Sequence, residues 1–498
     1  MSAPPSPFGE SSAGRRGPPA TLIAVILLTL TARLIVGSQV HLTEDEAYYR
    51  LWSLAPAFGY YDHPPMIAWW VWAGRHVVGD TPLGVRLAPI LASALTTLLV
   101  FDLARLAGAS GALAGRAGIW FNAMPLVALG GFLAVPDAPA SLFWTLTLWC
   151  CFRGVRASSN VWWAAAGGAA GLALLSKYSA LFLAPGLLIW LGLSEQARPE
   201  LRRPGPWLAA VIAAALFSLN VFWNADHDWL TFHKQFGRVA PSGFAPGHLV
   251  SFLLEQIGLM SPIIALFAGV AFFQRARPGS TKISLLIFLA TTAPFAAYLL
   301  LHGLHDRVEA HWPAPLYPGL AICAAVAAER LIDHAVGRRL AAAAPQLGFG
   351  LCALVLIYAT LPVSAVGRAD LILPVRGWPG FASRLHALAT RNGAAWIGTT
   401  SYGLAAQLTT EPSLGAPILQ LAERDRWTTV ATGPAPDIGK PGLVTDLSRR
   451  ASIANLSRCF AQVEPVGVLF RGNPGERGQA YAVFKVSEPK RDLLKNGC

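Results

Sequence analysis

What most limits how this chain can fold is its repetition of apolar runs of membrane-crossing length. The first, Ala20 to Val40, carries a single charge, Arg33, and a helix needs about 20 such residues to cross the hydrocarbon core. Further runs bounded by Arg, Pro and Gly give spans near 20–38, 83–104, 111–134, 138–153, 160–176, 178–193, 206–223, 248–272, 282–302, 314–331 and 345–363. The pattern predicts an α-helical multi-span membrane protein with about eleven transmembrane helices. Only 13% of residues are charged and 54% are apolar, which excludes an ordinary soluble enzyme. The first run is too long, and followed by too many others, to read as a cleavable signal peptide.

Arginine and lysine set the expected orientation. With the N-terminus inside, Arg105, Arg116, Arg153, Arg156, Arg202, Arg203 and Arg338 gather on the cytoplasmic side, in keeping with the positive-inside rule. Topology and anionic lipid headgroups then account for the net charge of +12; membrane lipids are implied as partners, nucleic acid is not. Residues 1–19, rich in Pro, Ser and Gly, read as a disordered cytoplasmic tail. Residues 20–363 form the transmembrane domain, with a first outer loop at 39–82. An odd number of spans puts 364–498 outside. There charges become frequent and β-prone runs such as "AAWIGTT", "GLVTDL", "VGVLF" and "AYAVFKV" suggest a small extracytoplasmic α/β domain. Cys459 and Cys498 fall in it, where a disulfide is chemically permitted, but their proximity is open at this stage. Cys150, Cys151, Cys323 and Cys352 lie within spans and read as small packing residues.

In this orientation the polar clusters all lie on the outer face: "EDEAYYRLWSLAPAFGYYDHPPM" at 44–66, "VPDAP", "SKYS", "WNADHDWLTFHKQFGR" and "HGLHDRVEAHWPAP". Thr43 and Glu46 have the spacing of a capping box, so Glu46 has a structural reading beside any functional one. Asp45 shares a helical face with Tyr49 and Trp52. Asp62 and His63 precede Pro64 and Pro65, which end the segment and start a helix over Met66 to Val78. Asp62 is a candidate ligand for a divalent metal, though two residues without further ligand spacing are a weak signal. Asp137 either caps the helix beginning at Ala138 or faces water, a cation or a partner.

In order along the chain, "DEAYY", "GYYDHPP", "GVRL", "VPDAP", "LLSKYSAL", "FHKQFGRV" and "HWPAPLY" resemble glycosyltransferase family 39. That superfamily includes the protein O-mannosyltransferases and the lipid A aminoarabinose transferases. The resemblance covers about residues 30 to 320. It implies the GT-C fold, a polyprenyl-phosphate sugar as donor, and inverting transfer to a glycolipid or protein acceptor on the extracytoplasmic face; the Ala-rich composition suggests a bacterial inner membrane. Lipopolysaccharide biosynthesis and protein glycosylation are the processes it suggests. By motif position Asp45 would be the catalytic carboxylate and Glu46 its supporting neighbour. Where aminoarabinose transferases have a Glu-Lys pair before the double proline, this chain has Asp62 and His63, a departure touching both the metal and the donor contact. Asp137 matches the acid of the second outer loop, and Lys177 a basic residue after the fifth span.

The residues suit such chemistry. Attack on a phosphate-linked anomeric carbon needs a base for the acceptor hydroxyl and cations for the departing phosphate. Asp45 is the expected base; Lys177, His63, Arg238 and Arg307 are the phosphate candidates; Tyr48, Tyr49, Tyr60, Tyr61 and Trp312 are candidate sugar walls, although interfacial aromatic belts explain the same residues. A transporter or flippase of polyprenyl-linked glycans would need ionisable residues near mid-span, and these are scarce. A ligase with a pyrophosphate-linked donor would need a longer basic outer loop.

Overall fold

The computed structural model describes residues 17–237, 243–273, 283–361, 373–427, 430, 435–472 and 478–498. Most of the expected tail at 1–19 lies outside them, as do Arg238 and the expected domain border at 363/364.

The helices run α1 (Ala20–Gln39), α2 (Glu44–Trp52), α3 (Met66–Val78), α4 (Pro82–Leu106), α5 (Gly111–Asn122), α6 (Pro125–Gly130), α7 (Asp137–Ala157) and α8 (Asn160–Leu174). After them come α9 (Leu183–Leu193), α10 (Pro204–Ala225), α11 (Leu230–Phe236), α12 (Gly247–Leu259), α13 (Pro262–Phe273), α14 (Leu286–His302), α15 (Tyr317–Arg330) and α16 (Ala335–Thr360). Each expected span holds helix, but several are shorter than expected or broken. Pro125 interrupts 111–134, splitting it into α5 and α6. The run 248–272 bends by 112° between α12 and α13, at Ser261, which takes a positive φ just before Pro262. Among the described residues four helices, α1, α4, α10 and α16, are long and apolar enough to cross a membrane, or five if the bent pair counts as one. The fifteen residues of α8, rising about 1.5 Å each, fall short of a core about 30 Å thick.

Small residues bring helices close, as "GGAAG" suggests. A Cβ at Gly167 would come within 2.5 Å of Ala209 O, and one at Gly171 within 2.7 Å of the Leu216 side chain, so α8 lies directly against α10.

The C-terminal part is α/β. Helix α17 (Trp378–Arg391) precedes β1 (Trp396–Thr399), α18 (Tyr402–Thr409), β2 (Ile418–Gln420), β3 (Gly442–Leu447), β4 (Phe460–Arg471) and β5 (Gln479–Pro489). The sheet order is β2-β1-β3-β5-β4; β1 pairs in parallel with β2 and β3, whereas β5 is antiparallel to β3 and β4. Four strands match the β-prone runs. Cys459 and Cys498 form a disulfide with their Cα atoms 5.5 Å apart.

One buried ion pair organises the region around α2. Thr43 and Glu46 form the expected capping box, yet the Glu46 carboxylate does much more than cap. Arg86 Nε donates to its Oε1 at 2.7 Å and Arg86 Nη2 to its Oε2 at 2.6 Å. Ala134 N and Thr43 N donate to the same two oxygens at 3.0 and 2.9 Å. The remaining Arg86 donors reach Gly37 O, Val40 O and His41 O. Both side chains are fully buried, and all five guanidinium donors have acceptors. Burial alone would raise the Glu46 pKa; the charge and hydrogen bonds of Arg86, with the two backbone N–H groups, hold it below the usual range.

Because one partner alone would be a buried, uncompensated charge, breaking this pair is costly. Glu46→Gln, which could still complete the capping box, is expected to destabilise the protein by roughly 3–5 kcal/mol, read as a lowered midpoint of thermal unfolding in detergent. Removing the disulfide, which joins positions 39 residues apart, with Cys459→Ser is expected to cost about 3–4 kcal/mol. Cleavage of the α/β part by limited proteolysis at a lower temperature than in the unaltered protein checks this.

Candidate active site

Helix α2 is short and polar because it lies at an edge: three acids open it, and Tyr48, Tyr49 and Trp52 bury its other face. Helix α18 packs onto it, and Leu42, Ala47 and Tyr48 share an apolar cluster with Ala405, Ala406 and Trp427. Gln407 Nε2 donates to Leu42 O, and His41 Nε2 lies 2.8 Å from Glu411 Oε1. The α/β part is therefore docked against the segment between α1 and α3.

Beside this contact is a cavity of about 720 Å³, lined mainly by the apolar helices and reached from the α/β part by Tyr402. Asp45, Tyr48, Tyr49, Asp62 and His63 line it from the segment that follows α1. Asp137, Lys177 and Trp312 face it from three other segments. The sequence-predicted cluster thus comes together from positions more than two hundred residues apart. Much of the remaining lining is apolar, including Pro89, Phe121, Leu126, Leu129, Leu133 and Leu259, with Ser93 and Thr96 among them. The cavity therefore offers both polar and apolar surface.

Asp45 meets solvent through the cavity, while protein crowds the carboxyl from the other sides. That crowding raises its pKa above the ordinary aspartate value, against the opposing influence of the Tyr402 hydrogen bond, His311 and Arg426. Tyr402 Oη donates to Asp45 Oδ1 at 2.9 Å. Lys177 Nζ donates to Asp137 Oδ1 at 2.6 Å, and His311 Nε2 lies 3.6 Å from Asp137 Oδ2. Asp137 is the first residue of α7, whose cap residue Pro136 makes no side-chain bond. The capping alternative for Asp137 is thereby replaced by an ion pair in the cavity wall.

Other predicted residues lie elsewhere. Glu46 is turned into its pair with Arg86 and lies outside the cavity lining, so it supports the site as scaffold. Arg307 has a side chain 72% exposed, 3.5 Å from Glu309, outside the cavity lining. Tyr60 is buried and stacked on Trp52 at 4.4 Å, bracing the loop. Tyr61 lies under Arg426 and beside Lys234, also outside the lining.

Asp62, the candidate metal ligand, is bound by Arg426 Nη1. Arg426 also donates to Glu423 Oε2 at 3.1 and 3.0 Å and lies 4.1 Å from the centroid of Tyr402. Asp62 and Glu423 raise its pKa against the opposing effect of burial. With the Asp62 carboxylate committed to a guanidinium, and no group of three or more His, Cys, Asp or Glu that could hold a metal among the described residues, these side chains do not fit a metal centre.

Tyr402, Arg426 and His311 are not singled out from sequence, nor is Gln235, which lines the cavity and donates from Nε2 to Asp62 O. His311 and Gln235 fall inside "HWPAPLY" and "FHKQFGRV" and were within reach of those motifs. Tyr402 and Arg426 belong to the α/β part, where no local pattern distinguishes them; only docking brings them to α2.

Residues 62–223 match the family model described as dolichyl-phosphate-mannose-protein mannosyltransferase. The chain is 29% identical over 278 residues to a lipid A galacturonosyltransferase, RgtD, of Rhizobium johnstonii, covering 55% of this chain and 58% of that one. It is 26% identical over 293 residues to an undecaprenyl phosphate-alpha-4-amino-4-deoxy-L-arabinose arabinosyl transferase of Pseudomonas savastanoi pv. phaseolicola, covering 56% and 54%. The chain thus spans little more than half the length of either relative. In fold it is similar to the crystal structure of ArnT from Cupriavidus metallidurans bound to undecaprenyl phosphate, with a TM-score of 0.64 at 15% identity, over 93% of this chain and 98% of that one. Residues 62–223 and the two relatives carry a resemblance to the glycosyltransferase family 39 superfamily, and the chain shares the GT-C fold of the solved neighbour.

Proposed function

We propose that this protein is an integral-membrane glycosyltransferase that moves a sugar from a polyprenyl-phosphate carrier to an envelope acceptor at the extracytoplasmic face. The observation that carries the reading is the cavity that combines the Asp45 carboxylate and the Asp137–Lys177 pair with an extensive apolar lining. A polyprenyl-phosphate sugar has the same division, a hydrophilic head on a long apolar chain. The relatives support the donor class: two are named as glycosyltransferases, one of them for an undecaprenyl-phosphate sugar, and the solved neighbour holds undecaprenyl phosphate. A glycolipid acceptor of the lipid A kind is in keeping with the named substrate of the Rhizobium relative. The eleven-span topology with the α/β part outside belongs to this proposal, and the Cys459–Cys498 disulfide favours an oxidising compartment for that part.

In the proposed reaction the acceptor hydroxyl oxygen attacks the anomeric carbon while the bond from that carbon to the phosphate oxygen breaks. The bonding pair leaves with the phosphate, and the hydroxyl proton passes to the Asp45 carboxylate. Products are the glycosylated acceptor, inverted at the anomeric carbon, and the polyprenyl phosphate. The leaving phosphate is stable as an anion, so one base suffices, in contrast to the paired carboxylates of glycoside hydrolysis. Lys177, held by Asp137 with its ammonium at the cavity wall, is placed to offset the growing phosphate charge, with His63 and His311 nearby. Tyr402 keeps Asp45 oriented.

Asp45→Asn retains shape but cannot take a proton, so transfer from an undecaprenyl-phosphate sugar in proteoliposomes should fall by roughly 10²–10⁴ while unfolding temperature is kept. Near-normal turnover in folded Asp45→Asn protein would refute the mechanism. A base works only when ionised, and Asp45 is raised, so the acid limb of kcat should lie above the roughly 3.9 of a free aspartate. Tyr402→Phe removes a bond that favours the anion; the limb should move to still higher pH, whereas an unmoved limb would detach Tyr402 from Asp45.

A further inference from the structure

A second cavity of about 380 Å³ opens on the other side of α2, within the usual size of small-ligand clefts of about 300–1,000 Å³. Thr43, Asp45 and Tyr402 line both cavities. The base of the proposed reaction therefore stands at the partition between two chambers. The second chamber lacks the long apolar wall of the first. It is bordered by Glu44, Asp446, Arg449 and Arg450, with Ser401 and Arg471.

The charged groups there have different duties. Arg471 is buried and spends its donors on Leu373 O, Arg376 O, Gln479 Oε1 and Tyr481 Oη. Asp446 accepts from the Thr400 hydroxyl and from Leu447 N. Arg449 and Arg450, directly after β3, are exposed, and neither side chain makes an ion pair or hydrogen bond with another described residue. Glu44 is raised by its burial and by Asp45 and Asp446, in opposition to Arg471 and Arg450.

Resting on the glycosyltransferase reading, we infer that the smaller cavity receives the acceptor glycan, and that Arg449 and Arg450 engage an anionic group, a phosphate or a carboxylate, carried by that acceptor. An inverting displacement needs the acceptor oxygen on the side of the anomeric carbon opposite the leaving phosphate. Donor and acceptor arriving from two chambers that meet at Asp45 satisfy this. The polar lining suits a saccharide: Glu44 and Asp45 accept from hydroxyl groups, and two exposed guanidinium groups at the rim supply the forked donors that phosphate and carboxylate prefer. A carrier lipid finds no apolar wall here, which assigns it to the larger cavity.

The test uses the full-length protein in detergent and three probes: a short-chain glucosamine disaccharide glycolipid bearing one phosphate, the same glycolipid bearing one carboxylate, and the same glycolipid bearing neither. Equilibrium binding should be at least about tenfold tighter for one or both charged probes than for the neutral one, and whichever charged probe is preferred names the group. The double variant Arg449→Gln, Arg450→Gln should erase that preference while binding undecaprenyl phosphate as before, which also reports correct folding. Equal binding of all three probes, a preference that survives in the variant, or loss of undecaprenyl phosphate binding in a variant with an unchanged unfolding temperature would each overturn the assignment. Turnover is read separately: absence of any transfer from an undecaprenyl-phosphate sugar by the unaltered protein tells against the glycosyltransferase reading, whereas lost charge discrimination in an active protein tells only against the acceptor site.

Discussion

Everything near the site depends on a charge pair that cannot afford to be incomplete. Glu46 and Arg86 are buried together, and every guanidinium donor and both carboxylate oxygens are used. Such a pair adds little net stability compared with apolar packing, but losing either half is expensive. Its value is geometric. It ties the end of α1, the start of α2, α4 and the chain before α7 at one point, and Asp45 is the neighbour of Glu46. The direction in which Asp45 looks follows from the direction in which Glu46 is held.

A second layer of positioning comes from the far end of the chain. Helix α18 lies on α2, Tyr402 bonds to Asp45, and Arg426 closes over Asp62. The α/β part contributes to the site, and its residues Tyr402 and Arg426 alter the charge environment of the Asp45 carboxylate. One consequence is that Asp62, which looks from sequence like a metal ligand, is an anchor for Arg426. Another is that Asp45 has two approaches, one amphipathic and one polar, a division matching the two reactants of a carrier-dependent transfer.

The helical character, the α/β tail, the capping box at Thr43 and the start of α3 at Met66 were all legible in the residues. Each depends on local periodicity, caps or prolines, which act over a few residues. The clustering of Asp45, Asp62, His63, Asp137, Lys177 and Trp312 was legible too, through the order of family motifs. The length of uninterrupted spans was not. Whether Pro125 or Ser261 breaks a run or merely bends it depends on neighbours that replace the lost hydrogen bonds, and hydropathy does not register them.

The sequence by itself determined the class of protein and the chemistry available in its polar loops, because apolar length and side-chain type are properties of single segments. Tertiary structure decided which of those groups line the cavity. Glu46 and Asp45 are adjacent acids on one turn of helix, yet one is consumed by Arg86 and the other is left at a cavity. Tyr402 is 357 residues from Asp45 along the chain, and no local pattern pairs them. Burial, ion pairing and the partition between two chambers arise where distant segments meet; they are energies of proximity in space, which the order of residues does not contain.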